Sequence, residues 1–133
     1  MTKRERIKMK YGGLCAYSGT PLEDDWQIDH LNPIRRDWWQ NSMIHKERDN
    51  EDNMVPCQRI INHYKHSYTL EDFRTWLLGG LHDRLKKLPR NTKVEKTKKR
   101  KDYLLKVADY FGITEEKPFC GKFYFETTGS TLD

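Results

Sequence analysis

The sequence predicts an α+β domain: a strand, a long loop, a short strand and a helix form the core, with additional helices and a C-terminal strand around it. Three observations carry this. "WQIDH" (Trp26 to His30) alternates large apolar and polar residues, the mark of a half-buried strand. "NMVP" followed by "CQRIINHYKHS" reads as a short extended piece running straight into a helix. Leu70, Phe73, Leu77 and Leu81 then recur at three- and four-residue steps, which lines one face of a further helix. With 133 residues the chain forms one domain around one modest core, roughly residues 11–78, and a helical, basic extension over roughly 79–133.

Taken in order, residues 1–12 form a basic N-terminal helix. "YGGLCAYSGTPL" is a turn-rich knuckle punctuated by Gly12, Gly13, Gly19 and Pro21. After the first strand, Leu31 to Asp52 is a long polar connection, and loops of that length are functional or disordered. Asn53 to Pro56 is the short strand, and Pro56 opens the helix over Cys57 to Ser67 at its first position. Thr69 caps the next helix, which Gly79 and Gly80 weaken and Pro89 ends. Residues 90–98 form a charged linker, and a third helix runs from about Lys99 to Phe111, with Gly112 as its stop. "GKFYFET" alternates aromatic residues and reads as the last strand.

Charge narrows the partners. Only 35% of residues are apolar and 34% are charged, so the core is small and relies on its aromatic residues. The net charge is +5, and basic residues cluster at the N-terminus and from Arg84 to Lys101. Such clusters suit a phosphate-rich partner. No apolar run approaches a membrane span, and no secretory signal is visible. Three widely spaced cysteines do not make a disulfide framework, which points to a reducing, cytoplasmic setting.

The chemistry-bearing residues fall on the strand–loop–strand–helix order. Asp29 and His30 end the first strand, while Asn62 and His66 are four apart on the helix and share a face. Asp29, Asn62 and His66 could converge on one hard divalent cation, Mg²⁺ or Mn²⁺. His30 beside it suits a general base, histidine being the side chain that titrates nearest neutrality.

"IDHLNPIRRDWW…DNEDNMVPCQRIINHYKHSYTLEDFR", together with "KYGGLCAY" and "FYFE", resembles the HNH endonucleases, the ββα-metal or His-Me finger nucleases, particularly the small phage and bacterial type. His30 matches the first motif position, Asn53 the second and Asn62 the third. The resemblance implies that His30 deprotonates a water for attack on phosphorus, that Asp29 and Asn62 hold one divalent metal ion with His66 as a further ligand, and that Asn53 ties the loop. It implies DNA as the partner, held through its phosphate backbone. Arg35, Arg36, His63 and Lys65 are the expected nucleic-acid contacts, and Trp38 and Trp39 pack on the loop.

Many members hold a structural zinc by two Cys-x-x-Cys pairs. Here the corresponding positions are Cys15, Ser18, Gln58 and Ile61, and Cys57 stands one place early. The expectation is therefore no structural zinc, since closed four-coordinate zinc needs a full set of N/S ligands. Apolar packing of Ile61 against Leu14, Tyr17 and Trp26, or a homodimer interface, would replace it. The function expected is a metal-dependent, phage-encoded DNA endonuclease working in the host cytoplasm. The alternative is an inactive binding protein on the same fold, such as a phage inhibitor of a host system.

Overall fold

The computed structural model describes residues 1–34, 36–37, 42–89 and 91–128; for residues 36, 37, 42, 43 and 128 it describes the backbone alone. It is a mixed α+β structure. The chain divides into two compact units where the sequence reads as one domain: Met1–Glu71 with the segment from Phe123 onward, and Asp72–Lys122. The expected core thus gains both the N-terminal helix and the last described segment.

In the first unit, α1 (Lys3–Met9) starts behind Thr2, whose hydroxyl accepts the Glu5 N–H at 3.1 Å. This cap satisfies one of the donors left over at a helix start. The knuckle then folds back on itself. The Cys15 N–H reaches the Thr20 carbonyl at 2.8 Å, and Leu14 bridges to Pro21. Gly19 closes the turn at a φ of 74°, and a Cβ there would lie 2.7 Å from the Tyr124 ring. Backbone conformation and close approach both require glycine at this position.

β1 (Gln27–His30) pairs antiparallel with β4 (Met54–Cys57), from Gln27 opposite Cys57 to His30 opposite Met54. Directly opposed residues point to the same side and successive residues to opposite sides. Gln27, Asp29, Val55 and Cys57 therefore share one face, and Ile28, His30, Met54 and Pro56 the other. On the second face, Ile28 and Leu22 pack against a cluster of Ile7, Trp26 and Met54, which docks α1. α2 (Arg59–Lys65) lies against the first face, where the Asn62 and Lys65 side chains meet Gln27 and Asp29. The long connection contains more structure than its composition suggests. β2 (Arg36–Asp37) pairs with β3 (Ser42–Met43), and two 3-10 turns follow, at Lys46–Arg48 and Glu51–Asn53.

Two elements of this unit differ from expectation. Pro56 sits in β4 rather than opening the helix, and α2 begins three residues later. The expected C-terminal strand is a short helix, α6 (Tyr124–Thr128). Its aromatic alternation is satisfied without a partner strand. The Phe123 and Phe125 rings lie parallel, 6.3 Å apart, and both meet Tyr17 edge-on. The Glu126 carboxylate accepts the Phe123 N–H at 2.9 Å, the reach-back contact that closes a helix start. The Tyr124 and Phe125 N–H groups donate to the carbonyls of Tyr17 and Ala16.

The second unit contains α3 (Leu70–Thr75), whose first residues precede it, then a wide π turn at Trp76–Gly80, α4 (Leu81–Lys86) and α5 (Glu95–Tyr110). The glycine pair interrupts the helix as expected. The Trp76 ring lies so close over Gly80 that a Cβ there would be 2.2 Å from it. Phe73, Leu77, Leu81 and Leu85 are buried, as are Leu104, Val107 and Ala108 of α5. α5 starts four residues before the expected Lys99. Glu95 sits in its first turn, where a negative charge opposes the positive end of the helix dipole. Glu95 to Lys98 are thus helical rather than linker. Among the described residues no helix is long and apolar enough to cross a membrane.

Candidate active site

The site begins at the end of β1. The ladder stays regular through the His30–Met54 pair and continues with the Leu31 N–H on the Asn53 carbonyl at 2.9 Å. The strand is regular to its end, so Asp29 and His30 leave it on opposite faces. His30 Nε2 lies 3.1 Å from Asp49 Oδ1. A carboxylate only accepts, so Nε2 carries the proton and the lone pair falls on Nδ1.

Asn53 holds that loop closed. Its amide donates to the Asn32 carbonyl at 2.9 Å and the Arg48 carbonyl at 2.7 Å, and its side-chain oxygen accepts the Asn32 N–H at 3.1 Å. One side chain thereby fastens the start of the loop to its end and keeps His30 and Asp49 on a closed frame.

On the other face, Asn62 Nδ2 donates to Gln27 Oε1 at 2.6 Å. Asp29 Oδ2 accepts the Tyr17 hydroxyl at 2.6 Å and pairs with Lys65 Nζ at 3.2 Å. Gln27 and Asp29 are two apart on the strand, and Asn62 and Lys65 three apart on the helix, so these contacts form adjacent rungs between β1 and α2. Burial raises the Tyr17 hydroxyl well above its ordinary pKa, and the nearby Asp29 charge adds to this, so Tyr17 remains a proton donor.

Lys65 was expected at the DNA surface, and the structure corrects this. Its side chain is 0% exposed, with Nζ donating to the His30 carbonyl at 3.0 Å. The rung contact to Asp29 draws the ammonium inward, so no phosphate can reach it.

His63 is exposed and lines a cleft of about 380 Å³ together with Gln27, Arg59, Asn62, His66 and Ser67. Gln27, Arg59 and Ser67 are cleft residues that the sequence reading did not single out. Two had a signal: Gln27 stands two before Asp29 on a strand, and Arg59 one helical turn before Asn62. Arg59 also pairs with Asp25 at 2.8 Å. Arg35, Trp38 and Trp39 lie outside the described residues, and so does the Arg36 side chain.

His66 ends α2 at φ 54° and ψ −131°, a backbone conformation that side chains with a Cβ rarely adopt. Such a residue costs of order 1–3 kcal/mol. Glycine relieves that strain but loses about 0.5–1 kcal/mol of backbone entropy on folding. His66→Gly is therefore expected to stabilise the protein by roughly 1 kcal/mol, read as a rise in urea midpoint at unchanged slope. A lower midpoint would show that the imidazole contributes more to the fold than its bond to Ser67 suggests.

The donors present suit a hard, well-hydrated divalent ion. The described partners of the Asp29 carboxylate all fall on Oδ2, leaving Oδ1, and the Asn62 amide spends its nitrogen on Gln27, leaving its oxygen. One carboxylate oxygen, one amide oxygen and the His66 ring nitrogen are donors of the kind that Mg²⁺ or Mn²⁺ takes while keeping several waters; Asn62 and His66 line the cleft together, and Asp29 is not among its lining residues. Among the described residues no three His, Cys, Asp or Glu side chains cluster for a metal.

The zinc positions are occupied differently. Gln58 is buried, and it joins the strand–helix junction to the knuckle by three bonds. Its oxygen accepts the Glu23 N–H at 3.1 Å, and its amide donates to Thr20 Oγ1 at 3.0 Å and to the Pro21 carbonyl at 2.7 Å. Ile61 is fully buried, but this polar clamp was not anticipated. Cys57 lies in β4, not one step around a helix, and contacts Cys15. Burial alone would raise the Cys15 thiol, but hydrogen bonds from the Cys57 and Ser18 side chains and from the Ser18 and Gln58 backbone bring it down to about 6. Burial pushes the Cys57 thiol well up, and its contact with Cys15 adds to that.

The basic N-terminal helix is partly structural. Arg4 stacks 3.9 Å over the Trp26 ring, Arg6 pairs with Glu51 at 2.7 Å, and Lys10 donates to the Glu51 and Met54 carbonyls. These groups anchor α1, which narrows the expected phosphate contacts of this segment to Lys3 and Lys8.

No protein-family model matches the chain, and neither a curated protein nor a solved structure matches it.

Proposed function

We propose that this protein is a metal-dependent DNA endonuclease with a ββα-metal core. The observation that supports it most is His30: an imidazole oriented by Asp49, at the end of a strand, on a loop that Asn53 closes. A base held by a second group is the arrangement that proton abstraction needs. His30 Nδ1 takes a proton from water while Asp49 stabilises the imidazolium; the hydroxide forms a bond to phosphorus and the bond to the 3′-oxygen breaks. Asp29, Asn62 and His66 would hold a divalent ion, which would supply charge stabilisation at the phosphate. Arg59 and His63, beside Asn62 in the cleft, place a guanidinium and an imidazole where a phosphodiester would lie.

A second reading has its own support. Asp29 is already paired with Lys65, and His30 leaves the strand on the opposite face, which favours a DNA- or protein-binding chain on the same core that does not cut. Incubation with supercoiled plasmid separates the two. Conversion to nicked or linear DNA with Mg²⁺ or Mn²⁺, abolished by EDTA, is the expected result. Retained DNA binding without cleavage under any divalent ion favours the binding protein.

A further inference from the structure

Lys65 is fully buried, and its ammonium touches both residues of the Asp29–His30 pair: Asp29 Oδ2 at 3.2 Å and the His30 carbonyl at 3.0 Å. It also lies 5.9 Å from the Tyr17 ring centroid, and the Tyr17 hydroxyl binds the same Asp29 oxygen. A buried ammonium persists only where charge and hydrogen bonds compensate its lost hydration. Here the compensating groups are the end of β1 itself. Lys65 is also the last residue of α2, directly before the strained His66. One cation therefore joins the strand end to the helix end, the two places from which the metal donors come.

We propose that Lys65 is the positioning residue of this site: its ammonium fixes the direction of the Asp29 carboxylate and of the His30 backbone, and leaves Asp29 a single oxygen, Oδ1, for a divalent ion. The inference rests on the nuclease reading for its catalytic consequence, but not for its effect on metal binding. A fixed positive charge beside the ligand carboxylate opposes a second cation. Lys65 thus keeps the ion weakly held and exchangeable while aligning the groups that act on the phosphate.

Positioning and simple structural support predict different outcomes for Lys65→Met. Removing the positive charge beside the Asp29 carboxylate removes its repulsion of a second cation, so Mn²⁺ affinity, read from the free-ion electron paramagnetic resonance signal, is expected to rise roughly tenfold. The plasmid-nicking turnover is expected to fall at least about tenfold, because Asp29 and His30 are no longer aligned. Affinity and turnover falling together, or neither changing, overturns the proposal. Circular dichroism establishes that the variant folds. Should it not, Lys65→Arg carries the test: it keeps the charge but not the compact geometry. Mn²⁺ affinity within about twofold of wild type, with turnover down at least about tenfold, supports the role; wild-type turnover, or loss of both, overturns it. Wild-type protein that binds Mn²⁺ but cuts no DNA removes the nuclease reading alone, and the change in affinity in Lys65→Met still decides what Lys65 does. Wild-type protein that binds no Mn²⁺ overturns the proposal outright.

Discussion

His30→Ala is expected to lower plasmid nicking by about 10³-fold while leaving DNA binding and folding close to wild type. A positioned general base contributes roughly 10²–10⁴-fold, and the imidazole stands at the strand end, held by Asp49. The substitution removes one exposed-edge hydrogen bond and no core packing; the side chain that closes the loop is Asn53, which remains. Single-turnover cleavage under saturating Mn²⁺ isolates the chemical step. Cleavage in His30→Ala within a few-fold of wild type would exclude His30 as the base. Asp49→Asn is a useful companion: its effect should be smaller, since it removes the orienting charge but not the proton acceptor.

Gln58→Leu is expected to destabilise the protein by roughly 3 kcal/mol. Leucine approximates the volume but satisfies none of the three bonds to the Glu23 N–H, Thr20 Oγ1 and the Pro21 carbonyl. Each buried group stranded without a partner costs about 1–3 kcal/mol, partly offset by the added apolar burial. Urea unfolding followed by fluorescence reads the loss, since Trp26 lies buried in the same unit. A cost below about 1 kcal/mol would mean that Ile61 and the aromatic contacts hold the helix to the knuckle unaided. Gln58 ties the knuckle to the start of α2 by hydrogen bonds, from a position where the resemblance implies a metal ligand.

The legibility of this chain follows the range of the forces involved. Strand β1, the helix after β4 and the apolar stripe of α3 and α4 were readable because periodicity is local: alternate residues on a strand and three- and four-step residues on a helix face one side regardless of what they meet. The same rule put Asn62 and His66 on one side, and both line the cleft, although His66 stands just past the end of α2. The last segment was misread because its aromatic alternation fits either a strand or a capped turn packed on Tyr17. The helix start is closed by the Glu126 carboxylate reaching back to the Phe123 N–H and held by the Tyr124 and Phe125 N–H groups on the carbonyls of Tyr17 and Ala16.

Lys65 marks the limit most clearly. By sequence it is one more cation in a basic chain, three residues after Asn62. Its burial depends on a carboxylate thirty-six positions away in sequence, brought opposite by the pairing of β1 with β4 and the docking of α2. The sequence alone determined which chemical groups are available and which local faces present them: an acid and a histidine at a strand end, an amide and a histidine on a helix. Only the tertiary structure decided their partners: His30 with Asp49, Asn62 with Gln27, Asp29 with Tyr17 and Lys65. The reason is physical. A side chain's neighbours along the chain set its direction, but the free energy of burying a charge is set by groups distant in sequence, and these have no periodicity to betray them.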